Sequence, residues 1–481
     1  MLFNSINFAI FFPVVFVLYW LVFRRSLKIQ NILLLIASYF FYGSWDWRFL
    51  FLLAFSTALD YFTGFQIFNS KTRVGRKIWL IISVVINLGF LGFFKYYNFF
   101  TESFAELLTG LGFQPNYTTL NIILPVGISF YTFHGLSYVF DIYNRKIVPV
   151  NNWVDYTLFV SFFPLLVAGP IERATHLLPQ IQAPRTFDYA RAVDGLRQIV
   201  WGLFKKMVIA DNCATYANLI FDNPGDYNGS TLVLGALFFA FQIYGDFSGY
   251  SDIALGTARL LGFELLQNFR FPYFSRDIAE FWRRWHISLS SWFRDYLYIP
   301  LGGSSGGTWM RIRNTFIIFL VSGFWHGANW TFLAWGALNA LFFLPLLLAG
   351  KNRNNLDVVA EGRLFPSLSE LINMVITFIM TTFAWIFFRS ESMAHAFDYI
   401  NGIVSYSIFH TPQVDGMAVV TLTITLLFMI IEWLGREGPY ALSHFGIAWP
   451  RILRWLFYAL IICITVMFME TEESPFIYFQ F

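Results

Sequence analysis

Long apolar runs separated by short polar stretches recur along the chain from Phe8 to Phe468. A helix needs roughly 20 residues to cross about 30 Å of hydrocarbon. Runs of about this length lie near 6–23, 30–44, 48–68, 78–98, 120–142, 153–169, 195–220, 230–246, 312–325, 328–349, 371–388, 416–434 and 452–469. The pattern predicts an all-α, multi-span integral membrane helical bundle with about 11–13 membrane segments, some of them re-entrant.

The polar stretches suggest a division of the chain into four parts. These are N-terminal membrane helices (1–150), a membrane core that carries the candidate chemistry (151–349), a polar linker (350–370) and C-terminal membrane helices (371–481). The run 153–169 ends in Ala168-Gly169-Pro170 and is a candidate for re-entry, since non-helical backbone at membrane depth must be buried in protein or line a cavity. Three helices are expected after the linker.

Basic residues between the first runs indicate an orientation. Clusters at 24–28, 71–77 and 145–146 fall on one side of the membrane if the N-terminus is outside. The first apolar run has no basic region before it and no small-residue cleavage site after it, so we expect a retained span and not a signal peptide. Beyond residue 146 the topology stays open.

The composition agrees with a membrane protein. Of the 481 residues, 57% are hydrophobic and 13% are charged, against about 25% charged in soluble domains. A net charge of +3 gives no reason to expect nucleic-acid binding. Cys213 and Cys463 are far apart and lack CxxC spacing, which suggests neither a disulfide framework nor a cysteine zinc site.

His326 is the first candidate for chemistry, because titratable groups at membrane depth are costly and usually functional. If a helix enters at Arg313, His326 lies about 20 Å along it. The uncharged tract 314–350 would extend about 55 Å as one helix, so it must break, and Gly327 is the expected place. Such a break typically borders a cavity, where a neutral imidazole suits general base catalysis. Ser322, Asn329 and Trp330 flank it and are candidates to orient the ring or stabilise an oxyanion.

His286 is the second candidate. At 100° per residue it falls on an aromatic face of a predicted helix over 282–296, with Arg283, Arg284, Arg294 and Asp295 on the other side. This is the pattern of an amphipathic helix in the membrane interface. The arginines suit phosphate or pyrophosphate binding, but anchoring by positive charge explains each of them equally well.

Other motifs carry less weight. The segment 303–307 matches the G-x-S-x-G elbow formally but follows a glycine-rich turn instead of a strand. His134 is expected to be structural, and His176, His395, His410 and His444 are expected in loops or at interfaces. Asp246 and Asp252 could bind a cation, pair with Arg259 or Arg270, or cap a kinked helix, and shaping the fold is the favoured role.

Several motifs of this chain resemble those of the membrane-bound O-acyltransferase family, and within it the bacterial branch that O-acetylates alginate. They are LPVGISFY (124–131), AGP (168–170), KKMVIAD (205–211), DFSGYSD (246–252), FWRRWHISLS (281–290), RDYLYIPLGG (294–303) and WHG (325–327). Their order and spacing match over nearly the whole chain. His326 matches the essential histidine of the family, and His286 matches its second, less uniformly required polar residue.

The resemblance implies a helical bundle around a central funnel in a bacterial inner membrane. It implies acetyl transfer from a cytosolic thioester, expected to be acetyl-CoA as a substrate, to an extracytoplasmic polysaccharide, usually with a periplasmic acetyltransferase partner. No permanently bound cofactor or metal is expected. Two alternatives stay open, namely transfer of D-alanyl or another acyl group from a carrier-protein thioester to a cell-envelope polymer, and a transporter or flippase in which buried histidines relay protons.

Overall fold

The computed structural model describes residues 1–115, 119–120, 122–167, 169–469 and 476–477. All regular secondary structure in these ranges is helical, which confirms the all-α prediction. Two compact units form, one of residues 1–192 and 258–266 and the other of residues 193–257 and 267–481. The four-part division drawn from the polar stretches stays a prediction.

The described part of the chain contains six helices long and apolar enough to cross a membrane, and three shorter apolar helices. The six are Trp47–Asn69, Arg73–Gly110, Gly229–Leu260, Trp330–Leu348, Leu368–Arg389 and Gly416–Gly435, and the shorter ones are Ile6–Val22, Leu27–Gly43 and Trp153–Leu166. The prediction of a multi-span membrane protein is therefore confirmed.

Nine α-helices of the first unit lie before residue 189 in the described part of the chain. They are α1 (Ile6–Val17), α2 (Leu27–Gly43), α3 (Leu50–Asn69), α4 (Arg73–Leu91), α5 (Tyr97–Gly110), α6 (Ile128–Tyr143), α7 (Trp153–Ser161), α8 (Phe163–Leu166) and α9 (Ala174–Gln182). The run 153–169 is interrupted at Phe162, and the N–H of Phe163 donates to Ser38 Oγ at 3.0 Å. Ala168 lies outside the described residues. His134 Nε2 accepts from the N–H of Glu172 at 3.1 Å, which agrees with a structural role.

The remaining helices belong to the second unit, apart from the first four residues of one helix (189–192) and the last three of another (258–260). They are α10 (Tyr189–Phe204), α11 (Asp211–Asp222), α12 (Gly229–Leu260), α13 (Ile278–Arg284), α14 (Ile287–Phe293), α15 (Gly307–His326), α16 (Trp330–Leu348), α17 (Leu368–Arg389), α18 (Met393–Val404), α19 (Gly416–Gly435) and α20 (Arg451–Met467). The expected three C-terminal helices correspond to α17, α19 and α20. The sequence reading missed α18 because its 12 residues are too few for a span.

Two acidic residues of α12 form buried ion pairs. Asp252 lies 2.6 Å from Lys205 Nζ, and Asp246 lies 2.8 Å from Lys206 Nζ. The sequence suggested Arg259 or Arg270 as the partner of these carboxylates, and this was wrong, because the partners are Lys205 and Lys206. Because a buried carboxylate without a cation is strongly destabilising, these pairs hold α12 against the segment after α10, as the fold-shaping interpretation expected.

The tract after Arg313 breaks where the sequence predicted. Helix α15 ends at His326, Gly327 follows in an extended conformation, and α16 begins at Trp330. Asn329 caps α16 by accepting from the N–H of Thr331 at 3.0 Å, and its Nδ2 donates to the carbonyl of Glu391 at 2.7 Å. His326 thus stands at the turn of a helical hairpin. Its depth in the bilayer stays a prediction.

The continuous helix predicted over 282–296 is wrong. Helix α13 ends at Arg284, His286 adopts a left-handed conformation with φ 42° and ψ 54°, and α14 begins at Ile287. A π-helical turn, Arg294–Tyr298, continues the chain. Backbone bonds from another segment interrupt the helix, since the N–H of Arg270 donates to the carbonyl of Arg284 and the N–H of Ile287 donates to the carbonyl of Asn268.

Candidate active site

A cavity of about 430 Å³ in the second unit brings the two candidate histidines together. His326 reaches it from the end of α15, and His286 reaches it from the break between α13 and α14. Both side chains are buried, with exposed fractions of 4% and 1%. The two histidines therefore line one cavity although forty residues separate them in the chain.

One face of α15 forms a wall of this cavity along most of the helix. Arg311, Thr315, Ser322 and His326 all line it. Their spacings of four, seven and four residues place them on the same side of an α-helix. At 1.5 Å per residue, the fifteen residues from Arg311 to His326 correspond to about 22 Å. The cavity therefore extends along α15, with Arg311 near one end and His326 near the other.

Aromatic rings fix the position of the His326 imidazole. The ring centroids of Trp325, Trp335 and Phe388 lie 4.8, 5.1 and 5.2 Å from that of His326, all near edge-to-face. Such arrangements stabilise an aromatic pair and restrict its rotation. Trp325 also lies 5.9 Å from the His286 ring. The indole of Trp325 thus contacts both histidines.

His286 is held by a different set of contacts. Its ring meets Phe247 of α12 edge-to-face, with centroids 4.6 Å apart and an interplanar angle of 87°. His286 lies outside the six candidate spans, and burial lowers its pKa to about 3. The imidazole of His286 is therefore neutral at physiological pH. A neutral ring can form hydrogen bonds with a substrate or an intermediate, but it carries no permanent charge.

Arg283 and Arg284 bind the chain's own loop. The guanidinium of Arg283 donates to the carbonyls of Asn352 and Asn355 at 2.7 and 2.6 Å. That of Arg284 pairs with Glu280 at 2.8 Å and donates to the carbonyl of Asp357 at 2.8 Å. These bonds fasten the loop after α16 to α13. Neither arginine is among the described residues that line the cavity.

The remaining predicted site residues lie in different places. Arg294 and Ser322 line the cavity, and Asp295 pairs with Arg294 at 2.8 Å. Asn329 serves as the helix cap described above and does not appear among the described cavity-lining residues. Of the expected oxyanion candidates, the structure therefore brings only Ser322 to the same space as His326.

Sequence reasoning missed two arginines of the cavity. Arg311 and Arg353 line it together with Arg294, and no acidic residue occurs among the described lining residues. Arg294 and Arg353 are exposed, so this end of the cavity opens to the surroundings. Arg353 was assigned to a polar linker, because sequence shows no contact between this loop and α13. The one signal that the sequence offered was the position of Arg353, a cationic residue in the loop that follows the α15–α16 hairpin.

Comparison with known proteins identifies a family. The model of "MBOAT, membrane-bound O-acyltransferase family" matches residues 145–388. A probable alginate O-acetylase AlgI from Pseudomonas aeruginosa is 38% identical over 92% of this chain and 82% of its own length. A peptidoglycan O-acetyltransferase from Helicobacter pylori is 34% identical over 84% and 80%.

A more distant relative has a different named reaction. A teichoic acid D-alanyltransferase from Bacillus subtilis is 26% identical over 59% of this chain and 73% of its own length. The family match includes both histidines, the whole cavity wall of α15 and the loop residues Asn352 and Arg353 that line the cavity. The chain therefore belongs to the membrane-bound O-acyltransferase family and is a multi-pass membrane O-acyltransferase.

Proposed function

We propose that this protein moves an acetyl group from a cytosolic thioester, acetyl-CoA, across the membrane for O-acetylation of an extracytoplasmic polysaccharide. The observation that carries the proposal is the single cavity shared by His326 and His286, with cationic residues at its open end. The names of the similar proteins, alginate and peptidoglycan O-acetylation, favour a polysaccharide acceptor. A periplasmic acetyltransferase partner and a bacterial inner membrane belong to the same proposal.

In the proposed reaction His326 is the general base. Its neutral imidazole takes the proton of an acceptor hydroxyl while the oxygen attacks the thioester carbonyl. The tetrahedral intermediate then collapses, the carbon–sulfur bond breaks, and the imidazolium returns the proton to the departing thiolate. We assign Ser322 and His286, which line the same cavity as His326, as the hydrogen-bond donors to the oxyanion. The protein needs no covalent nucleophile for this sequence.

The arginines at the open end supply a docking place for the donor's phosphate. A pantetheine arm has about thirteen bonds between its thioester sulfur and its phosphorus, which at the reach of an extended chain is about 15 Å. The Arg311 and His326 Cα atoms are about 22 Å apart along α15, and the arginine side chain shortens the gap. A phosphate held by Arg294, Arg311 and Arg353 would therefore place the thioester at His326.

The experiment for the proposed function uses purified protein in proteoliposomes. Labelled acetyl-CoA is supplied on one side and a polysaccharide acceptor, with the periplasmic partner, on the other. Acetyl esters on the acceptor are the expected result. If the acceptor gains label only when a labelled D-alanyl carrier-protein thioester is supplied, acetyl transfer is refuted and the D-alanyl alternative is supported. Flux of substrate without any acyl donor would support the transporter alternative, which family membership disfavours.

Arg353→Gln tests the phosphate contact. We expect the KM for acetyl-CoA to rise about tenfold, because a charge-assisted hydrogen bond contributes about 1.5–3 kcal/mol and each 1.4 kcal/mol is a factor of ten. The KM for S-acetylpantetheine, which lacks phosphate, should not change. Steady-state kinetics with both donors provides the measurement.

Lys351→Gln is the matched control for that change. Lys351 is an exposed cation of the same loop that is not among the described cavity-lining residues, so its removal should leave both KM values unchanged. An equal rise in KM for the two donors in Arg353→Gln would show that the arginine shapes the loop and does not bind phosphate.

A further inference from the structure

The backbone at His286 occupies an unusual conformation that something must hold. Its φ of 42° and ψ of 54° place a non-glycine residue in the left-handed region. Such conformations are energetically unfavourable for non-glycine residues and persist only where the surrounding structure determines them. The flanking sequence has the periodicity of one continuous amphipathic helix, so the local preference is to straighten. The observed break is therefore imposed from outside the segment.

Asn268 is the residue in position to impose it. It is 1% exposed and lies eighteen residues before His286. Its carbonyl accepts from the N–H of Ile287 at 2.9 Å, and its side-chain Oδ1 accepts from Ser288 Oγ at 2.5 Å. Its Nδ2 donates to Ser251 Oγ at 2.9 Å, which ties it to α12. One side chain thus connects the start of α14 to α12, the most buried of the six candidate membrane spans in the described residues.

The same helix supplies the surface against which the imidazole rests. Phe247, one turn before Ser251 on α12, meets the His286 ring edge-to-face. Asn268 therefore fixes the position of α14 relative to α12, the helix that contacts the His286 ring. Loss of its side-chain bonds would let residues 284–288 relax toward the continuous helix, which rotates His286 away from Phe247 and Trp325.

We propose that Asn268 is a positioning residue for catalysis, which holds His286 in the left-handed conformation so that its imidazole faces the cavity shared with His326. This inference rests on the proposed function for its kinetic consequence. It also has a structural consequence that does not depend on activity. Asn268 itself is not among the described residues that line the cavity, so it acts through His286.

The kinetic test is a double-mutant cycle in the reconstituted protein with acetyl-CoA. Asn268→Ala keeps the carbonyl bond and removes both side-chain bonds. We expect kcat to fall about 10- to 100-fold with the donor KM within threefold, because a misplacement of about 1 Å can cost 10²-fold. In the His286→Gln background the same change should add less than threefold. Multiplicative losses would overturn the inference.

Ser288→Ala provides a variant with a smaller structural cost. It removes only the hydroxyl that donates to Asn268 Oδ1, and we expect kcat to fall about threefold to tenfold, since one hydrogen bond contributes about 0.5–1.5 kcal/mol. Asn31→Ala is the matched control. Asn31 is also 1% exposed and donates to Asp155 and to the carbonyl of Ile181 within the first unit. Its loss should leave kcat per folded molecule unchanged.

The structural test follows modification of His286 by diethyl pyrocarbonate, mapped by mass spectrometry. The buried ring should react slowly in the wild-type protein and in Asn31→Ala, and at least fivefold faster in Asn268→Ala. Unchanged protection in Asn268→Ala would overturn the inference whether or not the wild type transfers acetyl. The wild-type protein could be inactive with every thioester while Asn268→Ala still shows faster modification of His286. That result would refute the proposed function but support the positioning of His286 by Asn268.

Discussion

His326→Ala should reduce kcat for acetyl transfer about 10³-fold, because general acid–base catalysis by a positioned side chain contributes about 10²–10⁴-fold. The donor KM should change little, since Arg311, one of the arginines proposed to bind the phosphate, lies fifteen residues from His326 at the other end of α15. The measurement is transfer from labelled acetyl-CoA in proteoliposomes. His410→Ala is the matched control, because His410 is an exposed histidine of the second unit far along the chain from the cavity.

Chemical rescue separates a base from a packing residue at this position. The cavity of about 430 Å³ leaves room for a free imidazole where the His326 ring is removed. Added imidazole should restore part of the activity of His326→Ala, and the rescue should grow as the pH rises through the pKa of free imidazole, because only its neutral form accepts a proton. Activity of His326→Ala within tenfold of wild type, or rescue that is independent of pH, would contradict the role of His326 as a base.

The hairpin that carries His326 could be predicted from sequence because its cause is local. The uncharged tract is too long for one span, and Gly327 is the residue within it beside the histidine. Length and composition therefore fixed both the break and its place. The all-helical, multi-span architecture follows from the same kind of signal, since apolar runs of sufficient length need no information from distant residues.

The conformation of His286 could not be predicted because its cause is distant in sequence. The periodicity of 282–296 favours a helix, and bonds from residues 268–270 overcome that preference. A hydrogen bond between Asn268 and Ser288 leaves no trace in the hydrophobic pattern of either segment. The place where the pattern fails is also the place where a candidate site residue lies, as expected where function requires strain.

The assignment of the arginines shows the same limit. Arg283 and Arg284 form a cationic pair in the sequence, and only the structure reveals that backbone carbonyls of the 352–357 loop already occupy them. These bonds in turn bring Arg353 to the cavity. Charge patterning located the region of the cavity, but it could not distinguish an arginine that fastens a loop from an arginine that lines the cavity.

Gly323→Ala should impair both folding and catalysis, because α15 and α16 approach too closely there for a side chain. A Cβ at Gly323 would lie 2.2 Å from the carbonyl oxygen of Phe332, a backbone atom that cannot move alone. Overpacking of this kind costs about 1–3 kcal/mol, so the melting temperature in detergent should fall. The helices must separate, and since His326 lies one turn further along α15, we expect kcat to fall about 10²-fold.

Gly89→Ala is the control for Gly323→Ala, because it adds the same side chain at a glycine that has free space around it. Gly89 also lies inside an apolar helix, α4, but a Cβ there would meet nothing within 4 Å. Alanine is favoured over glycine in a helix by about 0.5–1 kcal/mol, so this variant should be as stable as the wild type or more stable, with unchanged kcat. Equal behaviour of the two variants would mean that the close contact of α15 and α16 does not position His326. A loss confined to Gly323→Ala would tie catalysis to the hairpin that carries the histidine.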